Sequence, residues 1–186
     1  MFHFAIGYQF FNKETVFSHF VAKAMTITMA LREIVLEGDD ILTKKSKSVE
    51  RFDARLWTLL DDMCETLKNC NGVGLAAVQV GILRRVFLLD LEDGLTEFIN
   101  PEIILTEGEE EGLEGCLSVP GIYGYANAPL RVVVRAADRH GKLFKKELSG
   151  LGARGAMHEY DHLEGRLFRY KVTRYATQED LEGDSE

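Results

Sequence analysis

Two histidines and a glutamate in the segment His158-Glu159-Tyr160-Asp161-His162 are the residues of this sequence best suited to metal chemistry. An α-helix turns once in about 3.6 residues, so side chains four positions apart share one face and can ligate one metal ion. Glu159 lies one position further round, where its carboxylate can reach a water molecule on the metal. The pattern therefore predicts a hydrolytic metal site with two histidine ligands and a glutamate base.

A catalytic metal usually has three protein ligands and one open position. Downstream of the two histidines, neither of the two common positions for a third ligand provides a convincing residue. Phe168 occupies the place of the third histidine in the long zincin motif. Glu179 and Glu182 could serve as in thermolysin, but their acidic stretch is typical of a solvated chain end. We therefore expect the third ligand upstream and assign it to Cys116, which lies among glycines and a proline, near a carboxylate and a hydroxyl.

The helix that would carry the two histidines is predicted from about Leu151 to Leu163, and Gly165 is suited to end it. An amphipathic helix is predicted from about Asp53 to Lys68, where apolar residues recur at helical spacing. The Asn100-Pro101 pair indicates an edge or bulged strand, and an acidic loop is expected at 106–112. Strands are predicted at 85–91, 97–105, 131–138 and 142–148, the last two as a hairpin.

Length and composition indicate one globular catalytic domain, which we place at residues 29–175, followed by an acidic tail at 176–186. The net charge of −8 argues against a nucleic-acid partner. Three cysteines cannot all pair, which is typical of a reducing cytosol, and no apolar run is long enough to span a membrane.

Residues 1–28 differ from the rest because they are rich in phenylalanine and lack a clear pattern, so we expect an N-terminal extension outside the core. They fit neither a secretory signal nor an arginine-rich transit peptide. They are either an upstream start or vector-derived lead, with Met25 or Met29 as the natural first residue, or an amphipathic segment that binds a partner.

Three segments, GVGLAAVQ at 72–79, EGCLS at 114–118 and HEYDH at 158–162, resemble the three signature motifs of peptide deformylases, and the likeness covers roughly 29–170. The glycine-rich segment alone could equally be a tight strand and turn, whereas the ordered set is highly specific. The resemblance implies an α+β fold with antiparallel or mixed strands packed around a central metal-binding helix. It also implies a cytoplasmic hydrolase that removes the N-formyl group from the initiator methionine of new polypeptides and releases formate.

The same resemblance implies roles for residues outside the ligand set. The side-chain amide of Gln79 and the backbone N–H of Leu117 would stabilise the negative oxygen that forms during the reaction. The substrate would be an N-formylmethionyl nascent peptide at the ribosome, and it would be bound by Val73, Gly74 and Gly115. The family points to one Fe²⁺ ion per chain with zinc, nickel or cobalt as substitutes, although a thiolate and two imidazoles by themselves favour zinc.

Three residues depart from the usual pattern of the family: Val78, Ala128 and Met157. Ala128 stands where an arginine is frequent, so we expect Glu114 to lack one partner. The alternatives to an active deformylase are a degenerate homologue that keeps its metal and a zinc peptidase that uses the same helix.

Overall fold

The computed structural model describes residues 30–183 of the chain. Its α-helices are α1 (Ala54–Asn69), α2 (Leu151–Leu163) and α3 (Gln178–Gly183), and short 3-10 helices lie at Asp40–Thr43, Ala77–Val80 and Phe168–Lys171. Its strands are β1 (Gly74–Ala76), β2 (Val86–Leu91), β3 (Gly94–Glu107), β4 (Glu110–Cys116), β5 (Val119–Ala128), β6 (Arg131–Ala137), β7 (Leu143–Ser149) and β8 (Val172–Tyr175). The mixture of helices and strands confirms the predicted α+β class.

The strands form two antiparallel sheets, one of five strands in the order β1-β2-β3-β6-β7 and one of three in the order β4-β5-β8. β2 is buried on both faces, as its unbroken apolar run requires. Phe87 and Leu89 belong to the same core cluster as Ala153 and Ala156 of α2, whereas Leu88 packs with the cluster of α1. Because successive side chains of a strand point to opposite faces, the larger sheet lies between the two long helices.

The helix α1 confirms the predicted amphipathic helix to within a residue at each end. The Asp53 carboxylate accepts hydrogen bonds from the backbone N–H groups of Arg55 and Leu56, which caps the first turn. The apolar face of α1 is fully buried at Leu60, Met63 and Leu67.

The helix α2 has the predicted bounds, and its small residues explain how it lies so close to the sheet. A Cβ atom at Gly152 would be 3.1 Å from the Cδ1 atom of Leu91, and Ala153 and Ala156 are fully buried. Gly165 follows the helix with a φ of +73°, and a Cβ atom there would collide with the Thr43 carbonyl. Glycine is therefore required where the chain leaves α2.

One local expectation is wrong. The expected loop at 106–112 is mostly strand, because β3 runs to Glu107 and β4 begins at Glu110. The strand that contains Asn100 and Pro101, predicted as an edge or bulged strand, is bulged and lies between β2 and β6. Part of the acidic tail forms α3, where Asp180 pairs with Arg174.

The predicted extension at 1–28 lies outside the described residues, so it stays a prediction, as do the boundaries of the catalytic domain and tail. Within residues 30–183, no helix combines the length and hydropathy needed to cross a membrane.

Candidate metal centre

The structure brings Cys116, His158 and His162 together at the boundary between the smaller sheet and α2. One potential ligand atom from each residue lies within 4.8 Å of the other two. The Cys116 Sγ atom is 3.3 Å from the Nε2 atom of His162, and the two histidine rings are 5.0 Å apart between centroids. The two elements that supply these side chains are far apart in sequence, so the tertiary fold assembles the group.

The chemistry and burial of this group fit a divalent transition metal. A thiolate and two imidazoles are common ligands of such ions. His162 is completely buried, and its Nδ1 atom has no hydrogen-bond partner in the described part of the chain. Phe168 is also buried, with its ring 6.0 Å from that of His158, and contributes no ligand atom. Glu179 and Glu182 are exposed on α3, and neither belongs to the group of described residues that could hold a metal.

The orientation of His158 is set by a buried carboxylate. Its Nδ1 atom lies 3.0 Å from Oε2 of Glu114, which is only 4% exposed. An Nδ1–H group that donates to Glu114 leaves the Nε2 atom available to a metal. Although burial opposes the charged carboxylate, the hydrogen bond with His158 and the charge of Lys171 lower the pKa of Glu114.

Burial and the neighbouring charges act in opposite directions on the two imidazoles. Burial disfavours the His158 cation, but hydrogen bonds with Cys116 and Glu114 outweigh it and raise the pKa of His158 to about 10. Burial lowers the pKa of His162 well below its ordinary value, and the His158 charge lowers it further. Because a ligating nitrogen must be unprotonated, metal binding at this group is coupled to proton release.

Glu159 is buried beside the glycine-rich segment, with 3% of its surface exposed. A Cβ atom at Gly74 would be 2.5 Å from the Oε1 atom of Glu159, so only glycine leaves room for the carboxylate here. Its Oε2 atom is buried without a hydrogen-bond partner within the described range. Burial raises the pKa of Glu159 to about 7, which is suited to a group that accepts and returns a proton at neutral pH.

The side-chain amide of Gln79 has a fixed orientation. Its Oε1 atom accepts a hydrogen bond of 2.8 Å from the backbone N–H of Ala76. Its Nε2 atom therefore faces the centre, 3.3 Å from the Oγ atom of Ser118 and 3.6 Å from the Cys116 Sγ atom. Leu117 follows Cys116 in the turn between β4 and β5.

A cavity of about 530 Å³ opens beside the metal-ligating group. Val73, Gly74 and Gly115, the three residues predicted to bind substrate, all line it, and so does Leu117. Tyr123 also lines the cavity, and its ring lies against Gly115, where a Cβ atom would be 2.7 Å from the ring.

Ala128 supplies no cation to Glu114, but the carboxylate has two other cationic partners. Its Oε1 atom is 3.2 Å from Arg154 Nη1 and 3.1 Å from Lys171 Nζ, so two cations neutralise the carboxylate. Sequence reasoning missed both. Arg154 lies four residues before His158, and this helical spacing could have revealed it. Lys171 carries no comparable signal, because the chain returns to the site only after leaving α2.

The other two departures do not disturb the ligands: Val78 is fully buried and Met157 packs against the core. Ser118 was also missed; the second signature segment contained it, but its contact with Gln79 depends on the turn between β4 and β5.

Comparison with known proteins relates the fold and the site to one family. The model of the polypeptide deformylase family matches residues 31–178. A peptide deformylase of Caldicellulosiruptor bescii is 51% identical over 154 residues, which cover 83% of this chain and 93% of that protein. The crystal structure of peptide deformylase from Thermotoga maritima superimposes with a TM-score of 0.76 at 38% identity, covering 77% of this chain and 99% of that one.

A structure of a peptide deformylase from Acinetobacter baumannii with bound Met-Ala-Ser is also similar. Its TM-score is 0.73 at 30% identity, and the match covers 77% of this chain and 99% of that chain.

Proposed function

Because the chain belongs to the peptide deformylase family, we propose that Cys116, His158 and His162 hold one Fe²⁺ ion in the working enzyme. The chain is a metal-dependent hydrolase that removes the N-formyl group from N-formylmethionyl peptides and releases formate. The observation that supports our assignment of ligands is the convergence of three side chains from two distant signature segments on one point.

When bound, the metal supplies Lewis acidity, which lowers the pKa of a water molecule from about 16 to about 7 and makes it a nucleophile at neutral pH. Glu159 takes the proton of this water and later returns it to the amine that leaves. Its burial and its contact with Gly74 hold the carboxylate in one position for both transfers. A proton transfer of this kind contributes roughly 10²–10⁴-fold in rate.

Gln79 and Leu117 act on the oxygen of the formyl group. As water attacks the formyl carbon, this oxygen becomes negative and needs hydrogen-bond donors that are already in place. The Gln79 amide meets this need because Ala76 holds its carbonyl oxygen and so directs the NH₂ group inward. The backbone N–H of Leu117 is the second donor, and its position next to Cys116 keeps it at the centre.

The peptide substrate lies along β1 in this proposal. β1 is an end strand of the five-stranded sheet, so its outer edge can add an extended peptide through backbone hydrogen bonds. Val73, Gly74 and Gly115 line the adjoining cavity and receive the methionine side chain. The bound Met-Ala-Ser in the relative from A. baumannii supports a binding site for a short peptide that begins with methionine.

The choice of Fe²⁺ rests on the family resemblance, since the ligands alone favour zinc by affinity. Nickel, cobalt or zinc would substitute at the same residues. We place the reaction in the cytoplasm, on nascent chains at the ribosome, because N-formylmethionine is found at the start of newly made polypeptides.

The test is formate release from formyl-Met-Ala-Ser by protein purified without air, beside its Glu159→Ala variant. We expect the wild type alone to release formate, with both proteins holding one metal per chain. Equal turnover by Glu159→Ala would exclude Glu159 as the base. A metal-loaded wild type that releases no formate would identify a degenerate homologue.

A further inference from the structure

Arg154 connects the two elements that supply the metal-ligating side chains. It lies on α2, one turn before His158, and its guanidinium reaches across to the smaller sheet. Its hydrogen-bond acceptors on that sheet are the carbonyls of Glu110 at 2.8 Å, Gly112 at 3.3 Å and Ala126 at 2.7 Å, and the Glu114 carboxylate at 3.2 Å. Four acceptors from β4 and β5 therefore converge on one side chain of α2.

The smaller sheet leaves a space for this guanidinium. A Cβ atom at Gly112 would be 2.6 Å from Nη2 and 2.8 Å from Cζ of Arg154, so only glycine allows the side chain to cross β4. The Arg154 side chain is 13% exposed, and its fixed planar fork matches several acceptors at once. The confined guanidinium has little conformational freedom left to lose when it binds its acceptors. It can therefore hold the Glu114 carboxylate in one orientation.

The two oxygens of Glu114 have separate partners. Arg154 and Lys171 both approach Oε1, whereas Oε2 faces the Nδ1 atom of His158. The carboxylate cannot rotate without breaking a charged contact, and the His158 ring follows its orientation. Ala128 of β5 is paired in register with Glu110 of β4, and Arg154 binds the carbonyl of Glu110. The cation near this pair of residues therefore comes from α2, because alanine at position 128 supplies none.

We propose that Arg154 is a positioning residue of the metal centre, which fixes Glu114 and, through it, the His158 ring. This inference rests on the proposed ligand set. Partners that orient a metal-ligating histidine typically contribute 10–100-fold in metal affinity. Arg154 acts one contact further away, so we expect its loss to weaken metal retention about tenfold.

The experiment measures zinc release from the full chain to 4-(2-pyridylazo)resorcinol at 25 °C, with circular dichroism and thermal unfolding recorded for every protein. Zinc is used because it has no redox chemistry. The variants are Arg154→Met, which removes the charge but keeps the length, and Arg154→Lys, which keeps the charge. Arg131→Met is the matched control, because Arg131 is also an ion-paired arginine, but its partners Glu107 and Glu147 lie on the larger sheet, away from the centre.

We expect release to be about tenfold faster from Arg154→Met, partly restored in Arg154→Lys and unchanged in Arg131→Met. Gly112→Ala displaces the guanidinium without altering its charge, so it should accelerate release as well; it also provides the test if Arg154→Met does not fold. Unchanged release from folded Arg154→Met, with only a lower melting temperature, would overturn the proposal. A wild type that binds no zinc would refute the ligand set itself, which separates the two failures.

Discussion

Gly74 and Glu159 are in direct contact: the space that a Cβ atom at position 74 would occupy is 2.5 Å from the Glu159 Oε1 atom and 2.9 Å from its Cγ atom. The glycine-rich segment and the helix α2 therefore fit together at Glu159, the residue proposed as the general base. Gly74 and Glu159 lie 85 residues apart in two sequence signatures, and this one contact relates the two signatures to each other.

Gly74→Ala should abolish most formate release while the protein keeps its metal, because the new methyl group displaces the carboxylate of Glu159 and leaves the three ligands in place. Metal content and kcat, measured on the same preparation, check this. Gly94→Ala is the control, since nothing lies within 4 Å of a Cβ atom there. That control strains a residue with a φ of +97°, so it loses stability but should keep its kcat. Normal turnover by Gly74→Ala would contradict the assigned position of the base.

Much of this site could be predicted from local spacing. The bounds of α2 follow from a run of small residues and histidines at helical spacing that ends before glycine, and both ligands on it follow from the same period. The central position of the strand around Asn100 could not be predicted. Proline and a positive φ locally oppose pairing, but a bulge lets the strand keep both neighbours. Likewise, Lys171 reaches Glu114 through tertiary folding alone.

Gln79→Glu should lower kcat about 10²–10³-fold and change KM little, because it removes one hydrogen-bond donor to the developing negative oxygen. The substitution keeps an oxygen for the backbone N–H of Ala76, so the 3-10 helix at Ala77–Val80 should retain its fold. Steady-state kinetics on formyl-Met-Ala-Ser, with thermal unfolding as the test of folding, would measure both effects. A folded Gln79→Glu protein with wild-type kcat would remove Gln79 from the catalytic group.

Phe87→Ala should destabilise the protein by about 3–5 kcal/mol, which is the usual effect of emptying a buried aromatic site. The ring is fully buried and stacks on Phe98 with 4.6 Å between centroids, in the cluster that joins β2 to α2. Urea unfolding of the metal-free protein measures the loss without a contribution from metal binding. Leu143→Ala is the control, because that side chain is 71% exposed and should change stability by less than about 0.5 kcal/mol.

Cys116→Ala should bind metal far more weakly, because two imidazoles alone make an incomplete site for a catalytic ion. The structure also predicts that metal stabilises the wild type, since its ligands join β4 to α2 and a ligand that binds only the folded state raises the melting temperature. A chelator should therefore lower the melting temperature of the wild type and leave that of Cys116→Ala nearly unchanged. Cys64→Ala, which alters a thiol on α1 that packs against the core, should respond to the chelator as the wild type does. If Cys116→Ala retained one metal per chain and its response to the chelator, the third ligand would have to be another residue.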